Sequence, residues 1–275
     1  MDTEAARMVH EWRPLDYLQS CDGVDFALLI LNQPIVDLPV FERLWQHSRF
    51  RICADGGGNR LYDLFRTSED RNRHSQFLPD AIHGDLDSLR PDAEAFYAAR
   101  GVDIKRDPDQ YSTDLHKCLR LISQVQDQFG VADAGQTPPL DVVILGGLGG
   151  RVDQGFSQIH HLYMASRDRM LLIGKCLLFS EESISFLLQK GRNLIHVPLA
   201  KGYLTENIGI LPVGRPAVIT TRGMEWDVED WVTEFGGQLS TSNHIRADII
   251  EIDANERVLF TVERSSLLPR CPCNA

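Results

Sequence analysis

The chain has 275 residues, 43% apolar and 24% charged, enough to bury about three quarters of its unfolded surface and outside the range of disordered, collagenous or coiled-coil chains. Lys and Arg number 28 against 39 Asp and Glu, a net charge of -11, the wrong sign for a protein whose main partner is nucleic acid; we read the acidity as keeping molecules apart in solution. The six cysteines, Cys21, Cys53, Cys118, Cys176, Cys271 and Cys273, show no CxxC or metal spacing and read as reduced thiols of a cytoplasmic protein, with the CPC tail a frayed terminus. The first residues lack an apolar signal core, and no stretch approaches a membrane span, so no membrane role is expected.

From Asp25 to about Gly174, short apolar runs alternate with amphipathic segments. FALLIL (26–31), FRICA (50–54), DAIHG (80–84), DVVILGG (141–147) and RMLLIG (169–174) read as strands. Leu115, Cys118, Leu119, Ile122 and Val125 recur at helical spacing, as do Phe156, Ile159, Leu162 and Tyr163. This alternation predicts an open, mostly parallel sheet covered by helices. After about Ser180 come SISFLLQ, NLIHVPL, NIGILPVG, AVITTRG, IIEID and VLFTVER, broken by Gly and Pro, which predicts an antiparallel sandwich or barrel. We place an α/β domain at 1–178 and a β domain at 179–275. The polar stretches 67–76 and 130–139 read as surface loops, and no internal repeat is present.

In open parallel sheets ligands bind beyond the carboxyl ends of the strands, and four clusters stand there. Asp55-Gly56-Gly57-Gly58-Asn59 follows FRICA, where glycines permit close backbone approach to a ligand and the next helix offers an anion-binding end; a glycine triplet is as often a tight turn. Gly84-Asp85-Leu86-Asp87-Ser88 puts two carboxylates one residue apart, hard donors that suit Mg²⁺, against a plain role as helix cap or turn brace. Asp107 to Lys117 runs into the helix whose buried stripe starts at Leu115, with Asp114 and Lys117 three apart and expected on one exposed face at its first turn. Gly146-Gly147-Leu148-Gly149-Gly150-Arg151-Val152-Asp153 is a flexible loop whose guanidinium suits polyphosphate oxygens.

Neither GxGxxG nor GxxxxGK[ST] occurs, which disfavours a nicotinamide enzyme or a P-loop kinase. Ser112 and Thr113 have no evident His or Asp partner, the adjacent His160 and His161 cannot face one metal, and Asp227, Glu229 and Asp230 read as a solvated acidic turn.

ADGGGNRLYD, GDLDS, DPDQYSTDLHKCL, GGLGGRVDQ, TRGMEWDV and STSNH, in this order from about Asp25 to Arg264, resemble the eukaryotic thiamine pyrophosphokinase family. The resemblance implies an N-terminal α/β catalytic domain, a C-terminal β-sandwich that helps bind thiamine, and a homodimer with active sites between subunits. It implies transfer of the ATP diphosphate to the hydroxyethyl oxygen of thiamine, giving AMP and thiamine diphosphate with Mg²⁺ as cofactor. By motif it implies Asp85, Asp87 and Asp114 as metal ligands, Lys117 balancing phosphate charge, and Asp55, Gly56, Gly57, Asn59, Gly147, Gly149 and Arg151 around ATP. Asp153, Trp226, Ser242 and Asn243 fall to thiamine, Trp226 through stacking or cation–π attraction, and Gln110 and Thr113 to thiamine or the transferred phosphates. Gly58 stands where the family often has Ala, and Arg222 where it often has Thr. The competing readings are a metal-dependent nucleotide hydrolase and a noncatalytic thiamine-binding protein.

Overall fold

Strand β2 (Phe26–Ile30) is buried at every position, the unbroken apolar pattern of a strand covered on both faces. It lies at the middle of a parallel sheet in a computed structural model that describes residues 9–19, 24–65, 71–125, 139–168 and 170–266. To one side stand β3 (Phe50–Ala54), β4 (Ala81–Gly84) and β5 (Asp103–Arg106); to the other, β6 (Asp141–Leu145) and β7 (Cys176–Phe179). The chain therefore reverses its direction of winding between β2 and β6, the switch point at which such sheets open a crevice. Connecting helices are α1 (Leu38–His47), α2 (Gly57–Leu64), the short α3 (Arg71–His74), α4 (Pro91–Ala98), α5 (Asp114–Val125) and α6 (Val152–Ala165). Asp37 caps α1 by accepting the Val40 N–H at 3.1 Å, and α4 starts with proline, whose missing N–H costs nothing there.

Residues 20–181 form this unit; residues 1–19 and 182–275 form the second. In the second, β1 (Val9–Trp12) pairs in parallel with β9 (Gly191–His196), followed across the sheet by β14 (Ile249–Ala254), β11 (Ala217–Arg222) and β12 (Trp231–Thr233). Its other strands are β8 (Ser183–Leu188), β15 (Val258–Arg264), β10 (Leu204–Leu211) and β13 (Ser240–His244), antiparallel in that order. Trp12 of β1 stacks on Phe186 of β8 with centroids 4.7 Å apart, and its Nε1 donates to Asn193 Oδ1 at 3.0 Å.

The α/β domain followed by antiparallel strands is the expected fold, with local differences. The leader's residues 9–19 belong with the β unit, because β1 finds its hydrogen-bond partners on β9. Of the run 169–174, the described residues 170–174 form no strand: Met170 and Leu172 are exposed, and the strand is the following CLLF. β5, β12 and β13 carry no apolar run because each borders its sheet and keeps exposed positions. Part of the stretch 67–76 is helix α3, while Cys21, Cys271, Cys273 and most of the stretch 130–139 lie outside the described residues. Among the described residues no helix is long and apolar enough to cross a membrane.

Candidate active site

Beyond the carboxyl ends of β2, β3, β4 and β6 lies a cleft of about 630 Å³. At its floor Asp55 directly follows β3, in the left-handed region (φ 43°), buried, with Oδ1 accepting the Leu89 N–H at 3.1 Å and Oδ2 the Ser88 N–H at 3.2 Å. Burial pushes its pKa up and the neighbouring Asp114 adds to this, opposed by the bonds from Ser88 and Gly56. A Cβ on Gly84 would stand 2.8 Å from Asp114 Oδ1 and 2.9 Å from Asp55 Cβ; only glycine lets β4 run this close to two acidic side chains.

Asp114 opens α5 because Thr113 caps that helix, its Oγ1 accepting the His116 N–H at 3.2 Å. Asp114 Oδ1 accepts from the Asp85 N–H at 3.1 Å and from Lys117 Nζ at 3.2 Å. One carboxylate oxygen from each of Asp55, Asp85 and Asp114 lies within 4.8 Å of the other two. Such a donor set, hard oxygens only, suits a magnesium-like cation. Asp87 stands outside that convergence: it is exposed, its N–H donates to Asp85 Oδ1 at 3.2 Å and its Oδ1 accepts from Ser88 Oγ at 2.9 Å. The left-handed Leu86 (φ 63°) bends the turn between the two aspartates. Neither aspartate caps α4, whose N-cap has no side-chain bond.

Lys117 is not on an exposed face. It is 1% exposed and points inward under Asp114. Arg151 is 77% exposed on the rim and forms a two-bond pair with Asp153, at 3.1 and 2.6 Å. The segment before α5 braces itself: Asp109 accepts from Ser112 Oγ at 2.6 Å and from the Tyr111 N–H at 2.9 Å, bonds that hold its carboxyl below the usual range. Gln110 Nε2 reaches Asp85 Oδ2 at 3.4 Å.

Asp55, Gly56, Asp85, Gln110, Thr113, Asp114 and Arg151 all line the cleft. Asn59 instead lies beneath it, accepting the Arg90 N–H at 3.0 Å and donating to the Ser88 carbonyl at 2.7 Å. Gly57 presses on β2, where a Cβ would meet the Ile30 carbonyl oxygen at 2.3 Å, and Gly147 on Leu178 at 3.1 Å; for Gly149 the nearest atom is Gln33 Oε1 at 3.7 Å. The sequence reading missed Asn32 and Gln33, which line the cleft; they follow FALLIL directly, and the strand-end rule applied to that run finds them. It also missed the partner of Thr113, whose Oγ1 is 2.8 Å from Nε2 of the buried His161.

Trp226, Ser242 and Asn243 belong to the β unit. Trp226 is 54% exposed, with its ring 5.1 Å from that of His244. Asn243 is buried and grips the Trp226 backbone from both sides, accepting its N–H at 3.2 Å and donating to its carbonyl at 3.0 Å. Ser242 is exposed in the left-handed region (φ 57°). Asp227 is a loop brace and not simply a solvated charge, taking bonds from Thr221 Oγ1 and from the Gly223 and Met224 N–H groups at 3.0 to 3.2 Å.

The sequence matches the family description "Thiamin pyrophosphokinase, catalytic domain" over residues 41–173 and "Thiamin pyrophosphokinase, vitamin B1 binding domain" over 192–259. It is 36% identical to "Thiamine pyrophosphokinase 1" of Arabidopsis thaliana over 262 residues, 90% of each chain. With "Thiamine pyrophosphokinase" of Saccharomyces cerevisiae it shares 32% identity over 274 residues, covering 86% of this chain and 85% of that one. The crystal structure of yeast thiamin pyrophosphokinase superposes with a TM-score of 0.83 at 28% identity, over 97% of this chain and 94% of that one; that from Candida albicans gives 0.79 at 27%, over 94% and 93%. The chain belongs to the thiamine pyrophosphokinase family, whose general reaction moves a diphosphate from ATP to thiamine.

Proposed function

We propose that the α/β cleft binds ATP and performs this transfer, with Asp85, Asp87 and Asp114 holding Mg²⁺. The observation that carries the reading is the convergence of Asp85 and Asp114 with the buried Asp55 at the sheet's switch point; Asp87, outside that convergence, enters on the resemblance of GDLDS to the family motif alone. An acidic floor of this kind repels a polyphosphate by itself; a bound magnesium ion supplies the neutralising charge. Asp55 keeps both oxygens on the Ser88–Leu89 backbone and so fixes the turn that presents Asp85 and Asp87. Arg151, able to exchange Asp153 for phosphate oxygens, grips the nucleotide from the rim. The hydroxyethyl oxygen of thiamine attacks the β-phosphorus in line and gives up its proton to solvent, the bond from that phosphorus to the α,β-bridging oxygen breaks, and AMP leaves with that oxygen; positioning bears the main burden.

Trp226 offers its exposed face to the thiamine rings, with Asn243 setting its backbone. A homodimer would give the exposed Val152 and Phe156, one turn apart on α6, a surface to pack on. The free Cys53, Cys118 and Cys176 suit the reducing cytoplasm. Incubation with ATP, Mg²⁺ and thiamine should yield AMP and thiamine diphosphate in equal amounts. ADP with thiamine monophosphate, phosphate release that does not need thiamine, or no turnover would each overturn the reading.

A further inference from the structure

Thr113 and His161 are 48 residues apart in sequence and 2.8 Å apart in the fold, Oγ1 to Nε2. The other ring nitrogen of His161, Nδ1, lies 2.6 Å from the Ser157 carbonyl oxygen. A carbonyl only accepts, so Nδ1 carries a proton. The ring is buried beside the rings of His160 and His116; burial lowers its pKa and those two neighbours lower it further, against the raising effect of the Ser157 bond. In the neutral ring Nε2 is then a bare lone pair, and the bond to Thr113 runs from the hydroxyl to the histidine.

A hydroxyl has one proton and two lone pairs. In Thr113 the proton goes to His161 and one lone pair takes the His116 N–H. A single lone pair is left for the cleft that Thr113 lines. Phosphate oxygens at neutral pH are themselves acceptors and gain nothing from it. Thiamine brings two donors, its hydroxyethyl O–H and its amino group. Resting on the reading of the cleft given above, we infer that His161 is a positioning residue that makes Thr113 an obligate acceptor, which meets a donor group of thiamine and not the phosphates of ATP.

The test has a part independent of turnover. Imidazole ¹⁵N shifts of the full chain, with the His161 signal assigned by its loss in His161→Leu (or in His161→Gln should the leucine variant not fold), should show Nδ1–H and an unprotonated Nε2. An Nε2–H tautomer overturns the inference even if the wild type makes thiamine diphosphate, whereas a wild type without that activity counts against the functional reading alone. In the kinetic part, Thr113→Val and the His161 variant should each raise the KM for thiamine roughly tenfold, the loss of one hydrogen bond, and leave the KM for ATP within about twofold. Since His161 acts through Thr113, the double variant should be no worse than Thr113→Val. An equal rise for ATP, or single effects that multiply in the double variant, would show a role in packing or in nucleotide binding instead.

Discussion

Asp114 answers to two demands at once. One oxygen neutralises the buried Lys117 at 3.2 Å while the carboxylate stands among the acids that the functional reading assigns to the metal. Among the described residues Asp85 has no such ion pair: its carboxylate oxygens take the Asp87 N–H and Gln110 Nε2. Substitution by asparagine should therefore separate the roles. Asp85→Asn and Asp114→Asn should both lower turnover by more than a hundredfold. Only Asp114→Asn should also destabilise the fold, by about 2 to 4 kcal/mol, because it leaves a buried ammonium without its counter-ion; the figure is reduced from that of a fully buried pair for Asp114's partial exposure. Denaturant midpoints measured beside turnover check this, and equal midpoints for the two variants would contradict it. Asp85, Asp87 and Asp114 are legible in the sequence because they follow strand ends. The inward turn of Lys117 is not, since spacing of three residues says only that it shares a helix face with Asp114.

At the scale of elements, α6 holds one wall of the cleft. Its Gln158, buried, accepts the Leu148 N–H at 2.5 Å through Oε1, and Leu148 is a non-glycine residue held at φ 56°. That conformation costs on the order of 1 kcal/mol and persists only where surrounding bonds enforce it. Gln158→Met keeps the volume and removes the acceptor. Expected are a rise of about three- to tenfold in the KM for ATP and faster proteolysis within residues 146–151, with the KM for thiamine little changed. An unaltered digestion pattern would show that the loop holds its shape without the glutamine. The helix itself is legible from Phe156, Ile159, Leu162 and Tyr163, yet Phe156 is exposed and the buried face carries Gln158 and His161 instead. Hydropathy spacing locates a helix; it misplaces the buried face when polar side chains occupy it and find partners.

For the whole molecule, the β unit draws on both ends of the described chain, with β1 seated beside β9. Trp12 is 5% exposed, stacked on Phe186 and bonded to Asn193. Trp12→Ala should cost about 3 to 5 kcal/mol, chiefly through the cavity left, since Asn193 Oδ1 still accepts the Gln189 N–H at 3.1 Å. A loss of less than about 1 kcal/mol in urea unfolding would mean that β1 is dispensable to this unit. Nothing in VHEW marks it as a strand of a domain that begins some 170 residues later, because parallel pairing with β9 leaves no local signature of its own.

What the amino-acid order determined by itself was everything carried by short-range pattern: the α/β rhythm, the β-rich second half, the strand-end acids and glycines, and motifs whose order identifies the family. Tertiary structure alone decided which polar groups meet. It drew Asp55 into the acidic cluster, turned Lys117 inward, and joined Thr113 to His161. Those outcomes depend on distances between segments far apart in the chain and on which groups lose water when helices settle on a sheet, and neither quantity is expressed in local sequence.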